Sequence, residues 1–146
     1  MSRLLVYVLG IPLSAAERDR TYRNLIGELT GTEAAARLRN SVQHNTEKAG
    51  ALLAAQGIFA VAGTFALDHG WPKAPVLTSM LLMFIGSLLV LSILRATVGM
   101  YAPENADASQ LIFHMLLGRI ARFNVALYLT FIAIILLVLA ALSFVG

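Results

Sequence analysis

Residues 49–67 read AGALLAAQGIFAVAGTFAL, a stretch with no Asp, Glu, Lys or Arg. At 1.5 Å per residue a helix of that length reaches about 29 Å, which matches the roughly 30 Å hydrocarbon core of a bilayer. Two further runs share the property, Val76–Leu94 and Phe123–Gly146. All 11 Lys and Arg and all 8 Asp and Glu of the 146 residues therefore crowd into the connections, leaving a chain that is 58 % hydrophobic and only 13 % charged. A soluble domain carries about 25 % charged residues, and the mean hydropathy of +0.77 points the same way. The expected fold is all-α and membrane-integral. It has three transmembrane helices, at about 49–67, 76–94 and 123–145, making a membrane domain over 49–146 behind a helical segment over 1–48.

Orientation follows from the cations, because Lys- and Arg-rich loops stay on the cytoplasmic side. Residues 1–48 carry Arg3, Arg18, Arg20, Arg23, Arg37, Arg39 and Lys48, and the second connection carries Arg95, Arg119 and Arg122. The first connection, Asp68 to Pro75, carries only Lys73. The N-terminus is expected in the cytoplasm and the C-terminus outside, in a bacterial inner membrane. A net charge of +3 does not imply nucleic acid, since the cations flank spans and alternate with Glu17, Asp19, Glu28, Glu33 and Glu47. The bilayer and its headgroups are their expected partner. With no cysteine, disulfides and thiolate chemistry are excluded.

Met1 to Ala16 imitates a signal peptide, with Arg3, an apolar Leu4–Leu13 and a small-residue end. Cleavage would place six further cations outside, so the segment is expected to stay, lying in the interface or against a neighbouring subunit. Ser14 and Glu17 have capping-box spacing, which starts a helix near Ala15 with the stripe Tyr22, Leu25, Ile26 and Leu29. Thr30-Gly31-Thr32 should end it and supply Thr32 as the next N-cap. From Glu33 no Pro or Gly intervenes until Gly50, so the second helix should run straight into the first span as a stalk. Asp68–Pro75 is a tight hairpin with Trp71 as an interface anchor. The second helix of the hairpin is expected to reach about Tyr101, and Ser109–Arg122 leads into the third span.

No GxxxxGK[ST] loop, HExxH helix or GxSxG turn is present. His44, His69 and His114 are isolated, so no catalytic residue, metal or cofactor is expected. Polar residues within spans are more informative, because a hydroxyl or amide in hydrocarbon needs a partner on a neighbouring helix. Gln56, Ser87 and Thr130 each lie eight residues from a flanking cation, at Lys48, Arg95 and Arg122. Equal depth predicts a hydrogen-bonded layer across the three spans. The first span is rich in small residues, with Gly50 and Ala54 at four-residue spacing and Gly57 beyond, so it is expected to be the most enclosed, whether within the monomer or between copies. The isoleucine- and leucine-rich third span should face lipid on most sides.

The segment Asn45-Thr46-Glu47-Lys48-Ala49-Gly50-Ala51-Leu52-Leu53-Ala54-Ala55-Gln56-Gly57 resembles the entrance to the first span of the Pycsar effector membrane domain and, more loosely, of SLATT-type bacterial membrane effectors. The second span ending in Arg95 and the basic-then-apolar helix from Arg119 fit the same pattern. The resemblance covers roughly residues 30–146 and carries over to Lys48, Ala49 and Gln56. It implies an antiviral membrane effector, silent until a cyclic pyrimidine nucleotide triggers assembly and loss of membrane integrity. Lys48, Arg95, Arg119 and Arg122 are the cations expected to meet the single negative charge of such a nucleotide. Snorkelling at the span ends accounts for the same four residues without a ligand. Two other functions are compatible with the residues: an accessory or anchor subunit of an electron-transport or photosynthetic complex, and a holin-like pore former. All three work by association, as a homo-oligomer or as a subunit of a larger complex.

Overall fold

The computed structural model describes residues 14–27, 29, 31–95 and 106–145. They form four α-helices: α1 (Ala15–Ile26), α2 (Gly31–Asp68), α3 (Lys73–Arg95) and α4 (Ala106–Val145). Helices α2, α3 and α4 are each long and apolar enough to cross a bilayer. The expectations for Leu4–Leu13 and for a helix reaching Tyr101 lie outside the described residues.

Helix α1 begins where its capping box places it. The Ser14 hydroxyl accepts from the Glu17 N–H at 3.1 Å and the Ser14 N–H donates to the Glu17 carboxylate at 3.3 Å. It stops at Gly27, earlier than the Thr30-Gly31-Thr32 stop read from the sequence. Gly27 takes φ +65°, which glycine adopts without a Cβ penalty, and its N–H donates to the Arg23 carbonyl at 2.7 Å. Helix α2 begins at Gly31, so Thr32 sits inside the first turn and is not the N-cap.

Helix α2 runs 38 residues without a break, straight across the boundary at 48 and 49. Its N-terminal half is not a free stalk. Ala34, Leu38 and Val42 pack with Ile26 of α1 and with Ile112, Phe113, Leu116 and Leu117 of α4. Tyr22 meets Phe113 edge to face at 5.1 Å between ring centres. Helix α4 also extends well beyond its uncharged run, and its apolar face at Ile112, Phe113, Leu116 and Leu117 supplies the surface that α2 and α1 cover.

At the other end, Gly70 with φ +80° turns the chain, and the Trp71 N–H donates to the Ala66 carbonyl at 3.0 Å. Pro75 falls in the first turn of α3, where a helix has no N–H to lose. Trp71 stacks on Phe144 at 6.0 Å and, with Met80 and Leu137, covers the buried Ala66, Val76 and Ala140.

Between these ends lies a third apolar cluster of Ala49, Leu52, Val90, Ile93 and Ala126. Helix α3 packs on both α2 and α4 and is the best enclosed of the three, with 33 % of its most apolar stretch buried against 22 % for α2. The first span is therefore the least enclosed within the protomer, which removes the within-monomer form of the expectation from its small residues. Ile132, Ile135, Val138 and Leu139 of α4 are exposed, in keeping with a lipid-facing side.

Candidate functional site

Two polar layers divide the three apolar clusters. The deeper one joins all three long helices. The Ser87 hydroxyl of α3 donates to the Gln56 carbonyl oxygen of α2 at 2.9 Å, and the Gln56 amide donates to Thr130 Oγ1 of α4 at 2.7 Å. Thr130 passes its own proton to the Ala126 carbonyl at 2.8 Å. Gln56 is 1 % exposed, so it faces neither lipid nor solvent. Every group in the chain Ser87, Gln56, Thr130 has a partner, which is the condition under which a buried polar network stabilises a fold. The helices meet here because the periodic buried positions of α2, Ala49, Leu52 and Gln56, continue one stripe into the bundle.

Gly86 makes room for this layer. A Cβ at that position would lie 2.7 Å from Gln56 Nε2 and 3.5 Å from the Ala126 carbonyl oxygen. Ser79, 1 % exposed, adds a second tie between α3 and α4 by donating to the Ala133 carbonyl at 2.7 Å. Neither residue was singled out from the sequence. Gly86 carries a signal, being the one glycine in the span 76–94.

The second layer lies nearer the charged end of the bundle, between the cluster around Leu38 and the cluster around Ala49. Its centre is Arg119 of α4, only 2 % exposed. Arg119 Nη1 donates to Thr46 Oγ1 of α2 at 3.4 Å, and Thr46 donates in turn to the Val42 carbonyl at 2.9 Å. Arg119 Nη2 and the neighbouring Asn45 Nδ2 are buried and have no hydrogen-bond partner. His44 Nδ1 lies 3.8 Å from Glu47 Oε2, and among the described residues no Lys or Arg pairs with a carboxylate. Among the described residues no carboxylate stands beside the buried Arg119 guanidinium.

The other expected cations are placed differently. Lys48 and Arg122 are exposed, and for Arg95 only the backbone, at the end of α3, is described. Arg122 joins Arg119, His114, Met115 and Gly118 around a cleft of about 240 Å³ on α4. Lys48 does not line it. Gly50 is half-buried, while Ala54 and Gly57 are exposed; a Cβ at either glycine would touch nothing within 4 Å. The tight contact falls instead at Gly63, where the Met80 side chain of α3 packs against α2 and a Cβ would lie 2.9 Å from Met80 Cγ. A groove of about 430 Å³ between α2 and α3, lined by Gly57, Ala60, Met80 and Phe84, reaches down to Gln56 and Ser87. Among the described residues no group of His, Asp and Glu could hold a metal ion. Comparison with family models, curated proteins and solved structures finds no match.

Proposed function

We propose that this chain is a non-enzymatic, multi-pass protein of the bacterial inner membrane with a cytoplasmic N-terminus, and that it acts as a Pycsar-like antiviral effector. A cyclic pyrimidine nucleotide would drive protomers to assemble in the plane of the membrane and breach it. The reading rests on the resemblance of residues 45–57, and one structural observation supports it. Two small residues of α2, Ala54 and Gly57, lie on a face that its own bundle leaves uncovered, which continues into Val61, 69 % exposed. In lipid, where apolar burial gives no drive to association, such small-residue ridges let helices approach closely and pack.

The test uses the full chain extracted gently from its membrane. Native mass spectrometry with and without cyclic CMP and cyclic UMP should show assemblies that grow with nucleotide, and dye-loaded vesicles should leak under the same condition. A fixed stoichiometric complex with other subunits, indifferent to nucleotide, would replace the effector reading with the anchor-subunit one. Leakage that depends on protein concentration alone would favour a holin-like pore.

A further inference from the structure

The buried Arg119 guanidinium is chemically incomplete as it stands. A charge removed from water is retained only when it is paired and hydrogen-bonded, because its desolvation costs several kcal/mol otherwise. Arg119 has one long hydrogen bond to a neutral hydroxyl, an orphan Nη2, and no carboxylate among the described residues. Asn45 Nδ2 on α2 is a second buried donor without a partner, but Asn45 does not line the cleft beside Arg119. The unmet Arg119 donor calls for an acceptor.

We infer that the cleft on α4 is a binding site for a phosphodiester monoanion, held by Arg119 from its wall, by Arg122 from its rim and by His114 one turn before. Arg119 supplies donors in a rigid planar fork that matches phosphate oxygens, and Arg122 adds a second positive charge on the same helix face. Size limits what enters. At about 240 Å³ the cleft falls below the roughly 300–1,000 Å³ of pockets that enclose a drug-sized ligand, so it takes the phosphate and its adjoining ester while the rest of the ligand lies outside. Lys48, exposed and away from the lining, is not part of it. A phospholipid headgroup and a 3′,5′-cyclic nucleotide both present this group. The lipid case is independent of the effector reading; the nucleotide case rests on it and would make Arg119 the receptor for the trigger.

The full chain reconstituted in nanodiscs separates the two. In discs containing phosphatidylglycerol, native mass spectrometry should find about one retained anionic lipid per protomer. In discs of phosphatidylcholine alone, titration calorimetry with cyclic CMP reads the nucleotide arm. Arg119→Gln should weaken whichever binding occurs by about ten- to a hundredfold, with helix content unchanged. Arg119→Lys keeps the charge without the fork and should recover part of it, while Lys73→Gln, at the opposite end of α3, should change nothing. Retention of neither ligand, or equal retention by wild type and Arg119→Gln, overturns the site. Nucleotide-driven assembly that survives Arg119→Gln also overturns it and leaves the effector reading standing. Lipid retention lost in Arg119→Gln, without any response to nucleotide, sustains the site and sinks the effector reading.

Discussion

Gly86 is set against the Gln56 side chain so closely that a single methyl group on its Cα would stand 2.7 Å from the amide nitrogen. The amide cannot step aside freely, because its two ends are bonded to helices α3 and α4. Gly86→Ala should therefore break part of the layer and lower stability by about 1–2 kcal/mol, the upper range for hydrogen bonds between membrane helices. Thermal unfolding in mild detergent reads the loss. In a Gln56→Ala background the same change should cost nothing.

The layer should also behave as a unit. Gln56→Leu leaves Thr130 bonded to Ala126 but deprives Ser87 of its acceptor, and Thr130→Val deprives the Gln56 amide of its own. Each single change is expected to cost about 1 kcal/mol, and the double variant should cost clearly less than their sum. Additive losses would mean that the three groups do not interact.

Two glycines on α2 should respond in opposite ways. Gly63 faces Met80 at a distance already too short for a Cβ, so Gly63→Leu should destabilise the hairpin of α2 and α3 by about 1–3 kcal/mol. Gly57 faces open space, so Gly57→Leu should leave the protomer as stable as before while blunting its lateral assembly. Unfolding temperature and native mass spectra together separate the two effects.

At the charged end, Ser14→Ala removes one of the two reciprocal bonds of the α1 cap. The expected cost is about 1 kcal/mol, confined to α1. Hydrogen exchange should quicken in residues 15–26 and stay unchanged along α2.

Arg119→Met keeps most of the side-chain volume and deletes the unpaired charge. In detergent free of phosphate esters it should unfold at a higher temperature than the wild type. Adding phosphatidylglycerol should raise the wild type and close the gap, since a ligand stabilises only the protein that binds it. A lower unfolding temperature for the variant under both conditions would show that Arg119 is satisfied within the chain.

The uncharged runs, the capping pair Ser14 and Glu17, and the depth of Gln56, Ser87 and Thr130 were all legible in the sequence, because each rests on a local cost: charge in hydrocarbon, free N–H groups at a helix start, polar atoms away from water. What could not be read is which face of a span meets protein. Val61 and Leu52 are both apolar, yet one is 69 % exposed and the other is buried, because lipid and protein interior are alike to an apolar side chain. That is why Gly50, Ala54 and Gly57 suggested an enclosed helix and the structure places the tight approach at Gly63. Arg119 is a similar case. By position it marks the edge of a span, and only its burial and its hydrogen bond to Thr46 show that it sits inside.

Helix α2 is a single rod of about 57 Å by its 38 residues, gripped near one end by Ile26 and Phe113 and near its middle by Ser87 and Thr130. One unbroken helix carries both Leu38 and Gln56, so the packing that seats Leu38 also sets the direction in which the Gln56 amide points.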